Sequence, residues 1–196
     1  MKSEIRMNYS SKSKGEMIFM GWYALFVETG QEEIVQRFLQ LYFDKLLLYT
    51  IVPKRIIPER KEGKVKHVIK KIFPGYILIR TEMNAEVFHK IKNIPHCHRL
   101  LTNGKCYSKD IGEYYSKIDQ EEISPLLKLI GNGEIIDYSE IILENSRVLV
   151  KSGPLQGLEN IIKKVDKRKN RAKIILNFIG TEKVIDVGIK VISKTN

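Results

Sequence analysis

Apolar and polar positions follow two different periods, one typical of strands and one of helices, along this chain of 196 residues. The first apolar run, Trp22 to Val27, predicts a short and largely buried strand. Thr29 with Glu32 then forms a capping-box pattern, which indicates that a helix begins there. The following apolar residues recur at helical spacing, and we expect them to share one buried face. They are Ile34, Val35, Phe38, Leu39 and Tyr42.

Further strands are expected before the next helix. The run Leu46 to Val52 is apolar and ends at a proline, as a buried strand would. Residues 54–71 are strongly basic, and Glu62-Gly63 near their middle predicts a hairpin turn. The apolar run Ile72 to Ile79 follows, interrupted by Pro74-Gly75.

Helix signals complete the first half of the chain. Asn84 can cap a second helix that ends at Pro95, and a strand is expected near Cys97 to Leu101. Ser124-Pro125 predicts the start of a third helix, because proline needs no amide partner in the first turn, and Gly131 predicts its end. The order β-α-β-β-β-α-β-α indicates a mixed α/β domain over residues 20–132.

The pattern changes after a connector at 133–142. Residues 143–196 contain short β-branched or alternating runs separated by charged turns, which is typical of a small closed β-barrel. Residues 1–19 are rich in Ser and Lys and lack periodicity, so we expect a disordered tail. The β runs are Val148 to Val150, Ile161-Ile162, Lys173 to Phe178, Lys183 to Val187 and Ile189 to Ile192.

Charge adds information about partners. The chain has 34 Lys and Arg against 23 Asp and Glu, a net charge of +11, which favours a polyanion such as nucleic acid or an anionic membrane. The apolar run Met17 to Val27 is far shorter than the 18 or more residues that span a bilayer. Two cysteines make no disulfide framework. We therefore expect a cytoplasmic protein without a membrane partner.

Two motifs resemble known domains. The strand Trp22-Tyr23-Ala24-Leu25 and the segment Lys71 to Leu78, which reads KIFPGYIL, look like the NGN domain of NusG-type transcription elongation factors. The segment Val148 to Leu158, VLVKSGPLQGL, is similar to the KOW motif. The resemblance covers residues 21–194. It implies an α+β fold, with an N-terminal mixed α/β NGN sandwich followed by a small all-β, SH3-like KOW barrel.

This resemblance implies that an aromatic surface docks onto the clamp helices of RNA polymerase. The residues themselves point the same way, because Pro74 removes a backbone donor and Gly75 relaxes the backbone, so neighbouring rings can stay outside the sheet. Ordinary core packing of these rings is the alternative. The residues expected to bind polymerase are Trp22, Tyr23, Phe73, Pro74, Gly75 and Tyr76.

The KOW-like turn rests on Gly153, Gly157 and Asn160. Members of the family commonly have a third glycine where this chain has Asn160, and asparagine tolerates a positive φ better than most residues. In other NusG proteins this barrel recruits ribosomal protein S10 or Rho through apolar loop residues. Leu158 stands where an aromatic residue is frequent, and we assume neither partner here.

Basic residues form two clusters that could contact phosphates without reading bases. Eight lie within 54–71 and seven within 163–173, where only Asp166 opposes them, and the turn 167–170 should project into solvent. A merely solubilising turn is the alternative. The residues expected to bind RNA are Lys66, Lys70, Lys71, Lys163, Lys164, Lys167, Arg168, Lys169, Arg171 and Lys173.

The run from Gly153 to Arg168 resembles LoaP, a specialised branch of the NusG family. That resemblance implies processive antitermination on particular operons, with recognition of a hairpin in the nascent RNA. A general NusG factor and a ribosome-associated KOW protein are the alternatives. We expect a monomer.

Catalytic and metal chemistry have little support. His96-Cys97-His98 with Cys106 suggests zinc, but consecutive strand residues point to opposite faces and cannot converge on one ion. No nucleotide-binding loop, nucleophile elbow or other catalytic signature is present in the sequence. We expect no enzyme activity, no metal and no cofactor.

Overall fold

The computed structural model describes residues 20–102, 107–144 and 147–192. The predictions for the tail at 1–19 and for Cys106 lie outside these ranges. The helices are α1 (Glu32–Tyr42), α2 (Ala85–Lys92) and α3 (Gln120–Ile130). The strands are β1 (Gly21–Val27), β2 (Leu48–Ile51), β3 (Lys54–Lys61), β4 (Lys64–Lys71), β5 (Tyr76–Thr81), β6 (Cys97–Leu100), β7 (Tyr107–Ser108), β8 (Glu113–Tyr114), β9 (Ile135–Ile136), β10 (Ser139–Glu144), β11 (Arg147–Ser152), β12 (Ile162–Asp166), β13 (Arg171–Phe178) and β14 (Thr181–Val191).

The first half of the chain is built on a four-stranded N-terminal sheet in the order β2-β5-β1-β6. Strand β1 lies at its centre and pairs antiparallel with β5 and β6. Because side chains alternate along a strand, Tyr23 and Leu25 face one side of the sheet while Trp22 and Ala24 face the other. Both sides are covered, so the β1 residues are almost completely buried.

Helices α1 and α2 cover the side of Tyr23. Val35 and Leu39, one turn apart on α1, lie in the same apolar cluster as Phe88 of α2. Burying a side chain of this size contributes about 1.5–3 kcal/mol. The buried face of α1 is narrower than the sequence predicted, because Tyr42 remains 64% exposed. The apolar face of α1 packs on the sheet through Val35 and Leu39, and apolar residues at the margin of this face, such as Tyr42, remain in solvent.

Helix α3 and the second half of the chain cover the opposite side. Helix α3 ends at Gly131 as predicted, where φ is +58° and the amide donates to the Leu127 carbonyl. Its predicted start at Ser124-Pro125 is wrong, since it begins at Gln120 and carries Pro125 inside. The earlier start adds a turn whose apolar residue extends the buried stripe. That stripe comprises Ile123, Leu126, Leu129 and Ile130.

Strands β3 and β4 form the predicted hairpin, with positive φ at Glu62 and Gly63. There are four strands between α1 and α2 rather than three, because the hairpin supplies two of them and β2 and β5 flank it. A short β7–β8 pair follows β6. Residues 133–142, expected to be a connector, contain β9, which pairs with β3, and the start of β10.

Strands β10 to β14, which we call the second or C-terminal half, form a C-terminal sheet of five strands in the order β11-β10-β14-β13-β12. The elements from β1 to β9 are the first or N-terminal half. Strand β13 alternates strictly and buries its even-numbered side chains, Ala172 to Phe178. The two predicted runs around Gly188 merge into the single strand β14. A Cβ at Gly188 would lie 2.7 Å from the Ile56 carbonyl oxygen of β3, so only glycine permits this close approach of the two halves.

The predicted turn glycines behave differently from Asn160. Gly153 has φ of +96°, and a Cβ there would lie 2.6 Å from the Tyr138 carbonyl oxygen. Gly157 also has a positive φ, +75°. Asn160 lies in a short 3-10 helix, Glu159–Ile161, and is not among the residues with positive φ. The left-handed backbone that we expected at Asn160 is therefore unnecessary there.

Candidate nucleic-acid interface and aromatic face

The rings expected on an open surface are largely buried. Trp22, Tyr23 and Phe73 are only 7%, 6% and 5% exposed, while Tyr76 is half-buried and Pro74 is exposed. The exposed aromatic patch inferred from the sequence is therefore absent from this arrangement of the chain. Its burial comes from tertiary packing, which the local pattern did not contain.

These rings also do not share one face. Tyr23 lies in the cluster beneath α1 and α2, whereas Trp22 and Phe73 lie in the cluster on the opposite side of the sheet. The strand period of two separates Trp22 from Tyr23. We name the surface formed by Phe73 and Tyr76 the aromatic face. Trp22 is on the same side of the sheet but four strand positions away, beside Tyr49 and Ile118, so neither Trp22 nor Tyr23 belongs to this face.

The C-terminal sheet covers the aromatic face. Phe178, the last residue of β13, stacks on Phe73 with ring centroids 4.0 Å apart and planes 11° apart. The same ring meets Tyr76 edge-on at 5.4 Å. Residues of both halves line an open cleft of about 370 Å³ beside this contact, including Leu101 and Lys183. The aromatic face is therefore occupied by the protein's own second half.

A buried carboxylate holds the loop that carries Phe73. Glu32 is fully buried and accepts hydrogen bonds from the amides of Gly75 at 2.7 Å and Gly30 at 2.8 Å. Lys71 donates to the same group at 2.6 Å. The expected capping box is wrong, because Gln31 occupies the N-cap position without a side-chain cap and Glu32 binds the amide of Gly75 in the loop instead.

Glu32 and Lys71 stabilise each other's charged forms. Burial alone would raise the pKa of Glu32, but the hydrogen bonds from Lys71 and Gly75 outweigh it and hold this pKa below its ordinary value of 4.5. Burial alone would lower the pKa of Lys71, and its bonds to Glu32 and Glu33 raise it instead. Lys71 is therefore occupied by ion pairs with Glu32 and Glu33, and we leave it out of the proposed RNA surface.

The structure brings the two basic clusters together. The side chain of Arg171, at the start of β13, donates from Nε to the Pro58 carbonyl of β3 at 3.0 Å. Strand β14 runs beside β3 at the same place. The basic hairpin β3–β4 and the basic hairpin β12–β13 therefore meet, although more than ninety positions separate them in the sequence.

Alternating charges cross this junction. Lys70 and Arg171 both contact the same Glu59 oxygen, Arg171 at 3.9 Å. Arg171 also lies 3.7 Å from Asp186, which in turn lies 3.4 Å from Lys173. We name these five residues, together with Arg55, the seam.

Arg55 gives the seam a surplus of positive charge. Burial lowers its pKa, Asp186 raises it and neighbouring Arg171 lowers it further. Its Nε atom is buried and has no hydrogen-bond partner. The seam therefore holds four cations against two carboxylates, and it is a place where a further anion would be favourable.

A second basic surface lies between the two edges of the C-terminal sheet. Strands β11 and β12 line an open groove of about 790 Å³. Its charged lining consists of Glu159 and four cations, Arg147, Lys163, Lys164 and Lys167. Arg147 and Arg55 are not among the residues expected to bind RNA. Arg147 stands alone in its segment, and Arg55, although counted in the basic run 54–71, gains its neighbours at the seam only by folding.

Most of the lysines and arginines expected to bind RNA are accessible. Lys70 and Arg171 lie in the seam, and Lys169 is 4.0 Å from Asp166. The exposed members of the set are Lys66, Lys70, Lys163, Lys164, Lys167, Arg168, Lys169 and Lys173.

A family profile decides the relationship to known proteins. The profile described as "Transcription termination factor nusG" matches residues 20–127. The chain belongs to the NusG family. The resemblance to NusG seen in the sequence is thereby confirmed, whereas its finer LoaP and KOW parts stay predictions.

Similar proteins extend over most of this NusG-family chain. The transcription termination/antitermination proteins NusG of Staphylococcus aureus strains Mu50 and N315 are each 27% identical over 179 residues, covering 88% of this chain and 94% of theirs. A Thermotoga maritima NusG structure, described as showing domain interaction, is 19% identical, covers 87% of this chain and 94% of its own, and has a TM-score of 0.49. A structure of the MjSpt4:Spt5 complex is 18% identical, covers 84% of this chain and 90% of its own, and has a TM-score of 0.32.

The His-Cys-His segment has structural partners in this NusG-family chain. His96 Nδ1 lies 2.7 Å from a Glu28 carboxylate oxygen, and His98 packs on the Phe26 ring. Burial raises the pKa of Cys97 to about 12. Within the three described ranges, no three His, Cys, Asp or Glu side chains are grouped to hold a metal. No helix there is long and apolar enough to cross a bilayer.

Proposed function

We propose that this protein is an operon-specific, processive antitermination factor of the LoaP branch. Its N-terminal half holds RNA polymerase at the clamp helices through the aromatic face, and its basic surface holds a hairpin in the nascent RNA. The mechanism is positional, because bridging the clamp disfavours the opening that accompanies pausing and termination. The effect is a shift in populations rather than a chemical step.

The proposed RNA binding is supported by one observation, the contact between the two basic clusters. Clusters separated in the sequence lie side by side at the seam, and the groove between β11 and β12 brings three lysines of the second cluster together with Arg147. Lysines and arginines arranged in this way suit the closely spaced phosphates of structured RNA. Seam and groove together offer a basic surface that neither cluster provides alone.

The polymerase part requires the C-terminal sheet to move. The aromatic face lies beneath Phe178 in this structure, so a partner can reach Phe73 only when Phe178 has left it. Docking is therefore an exchange of one apolar cover for another. Contact area lost with Phe178 is regained on the partner, which keeps the rings out of water.

The RNA part is tested by reversing three groove cations together, Lys163→Glu, Lys164→Glu and Lys167→Glu. We expect the affinity for a labelled RNA stem-loop to fall by more than tenfold, since each lost phosphate contact removes a salt-dependent share of binding. The measurement is a gel-shift titration at fixed salt.

The matched control reverses three exposed lysines elsewhere, Lys45, Lys109 and Lys128, which gives the same change in net charge. An equal loss of affinity in both triple variants would show that overall charge, and not the groove, binds the RNA. Unchanged affinity in the groove variant would reject the site.

A general NusG factor is the second candidate. The relatives from Staphylococcus aureus are transcription termination/antitermination proteins NusG and align over almost their whole length. Genome-wide occupancy distinguishes the two, because a general factor should follow polymerase on most genes and a specialised one on few.

A further inference from the structure

The seam and the cover of the aromatic face lie at opposite ends of one β-hairpin. Strand β13 begins at Arg171 in the seam and ends at Phe178 on the aromatic face. At roughly 3.3 Å per residue, the two ends are about 20 Å apart. Strand β14 pairs with β13 along its entire length, so the hairpin is a continuous two-stranded ribbon. A change at the seam therefore acts on the same rigid element as a change at Phe178.

The surplus of positive charge at the seam weakens the observed arrangement. Arg55 and Lys70 come from the N-terminal half, whereas Arg171 and Lys173 come from the C-terminal sheet. The two carboxylates neutralise only half of these four charges, and the buried Nε of Arg55 has no partner. Like charges drawn together and partly removed from water repel each other, which offsets part of the attraction of Arg171 to Glu59 and to the Pro58 carbonyl across the seam.

The tip of the same hairpin carries backbone strain. Ile179 has φ of +52°, which is an uncommon conformation for a β-branched residue. Such a conformation persists where the surroundings impose it. Here the Ile179 side chain packs against the apolar cluster that joins the two halves, and the Gly180 amide donates to Glu122 of α3 at 2.9 Å. Contacts between the halves hold the tip in place.

We propose that RNA bound at the seam holds the C-terminal sheet over the aromatic face, so that RNA and polymerase oppose each other's binding. The phosphates would supply the negative charge that the seam lacks and favour the covered arrangement. Coupling of two binding sites is reciprocal, so a partner on the aromatic face must weaken RNA binding by the same factor. This inference rests on the proposed function.

The groove cations explain how some RNA contact survives docking. Arg147, Lys163 and Lys164 all belong to the C-terminal sheet and move with it. When the halves separate, the seam is lost while the groove stays intact. The docked protein therefore keeps a weaker hold on RNA than the free protein.

Hydrogen exchange of the full-length protein tests the coupling directly. Amides at the hairpin tip, 178–181, and at Gly75 and Tyr76 report whether the aromatic face is covered. The amides of the hairpin tip lie about 20 Å from Arg171 along β13, beyond direct contact with a phosphate at that end of the strand. Adding a labelled RNA stem-loop of mixed sequence should slow their exchange severalfold. Fluorescence anisotropy on the same samples measures RNA binding.

A Phe178→Ala variant gives an independent measurement. Removing this ring weakens the cover without touching any seam cation, so RNA affinity should fall by about fivefold or more, the usual lower range of coupling between sites. Val184→Ala is the matched control, because Val184 lies on the same hairpin and is 57% exposed. It should leave RNA affinity unchanged.

The outcomes separate the coupling from the proposed function. RNA that binds without slowing exchange at the tip, or that speeds it, overturns the coupling and leaves the RNA site standing. RNA that fails to bind at all rejects both. Slower exchange at the tip together with weaker binding by the Phe178→Ala variant supports the coupling.

Discussion

A single buried carboxylate illustrates how much one residue organises in this protein. Glu32 was expected to cap its own helix, and instead it joins α1 to the loop that carries Phe73. It also accepts from Lys71 at the end of β4. Two segments distant in sequence, the start of α1 and residues 71–75, therefore depend on one side chain, whose burial makes each of these hydrogen bonds stronger than it would be in water.

Replacing Glu32 by Gln should lower the free energy of unfolding by about 2–3 kcal/mol at neutral pH, because a buried charged acceptor is lost and Lys71 keeps only Glu33. Urea denaturation measures this. The pKa of Glu32 is held below 4.5 in the folded state, so its contribution is present above pH 4.5 and disappears as the pH falls through the folded value. The difference between wild type and variant should shrink accordingly.

Glu33→Gln is the control for this prediction. Glu33 also contacts Lys71, at 2.7 Å, but its side chain is 37% exposed. The loss should therefore be well below 1 kcal/mol. Equal destabilisation by the two substitutions would contradict the special role of the buried carboxylate.

At the scale of elements, packing overrides local signals in α3. Pro125 was expected at the helix start, where its missing amide costs nothing. It lies five residues after Gln120, so the Glu121 carbonyl loses its partner within the helix. The helix forms nevertheless, because Ile123, Leu126 and Leu129 are buried between the two sheets.

Pro125→Ala should therefore stabilise the protein by about 1–2 kcal/mol. Alanine restores the hydrogen bond and has the better helix propensity, and greater freedom of the unfolded chain offsets part of the gain. Thermal and urea unfolding measure the change. Lys128→Ala, at an exposed position of the same helix, should have little effect. A destabilised Pro125→Ala protein would show that the proline ring itself is needed for packing.

At the scale of the whole molecule, two halves share one apolar cluster that contains both Phe73 and Phe178. The exposed aromatic surface expected from the sequence would exist only when this cluster opens. The closely packed Gly188 and the bond from Arg171 to Pro58 show that the same two halves also meet at the seam. Under the proposed function, polymerase binding therefore depends on the balance between covered and uncovered arrangements.

Capture of RNA polymerase measures that balance. Phe178→Ala should increase capture several-fold, since it removes the ring that covers Phe73, and it should leave the partner's surface intact. Phe73→Ala with Tyr76→Ala should reduce capture by at least tenfold through loss of apolar contact. Val184→Ala is the neutral control in both cases. Loss of capture in the Phe178→Ala protein would mean that Phe178 itself contacts polymerase.

Residue types along the chain were enough to predict several local elements. The hairpin at 54–71, the Asn84 cap, the end of α3 at Gly131 and the alternation along β13 all follow from residue types within a few positions of each other. The family motifs added the family itself, which the profile over residues 20–127 confirms.

Which surfaces are free depends on contacts between distant parts of the chain. The strand period separates Trp22 from Tyr23. No local sequence pattern shows that Phe178 would stack on Phe73 or that Lys71 would form an ion pair with Glu32. The physical reason is that burial and charge pairing depend on residues brought together from distant parts of the chain. The same long-range contacts placed Arg171 against β3 and created a seam that no stretch of sequence contains.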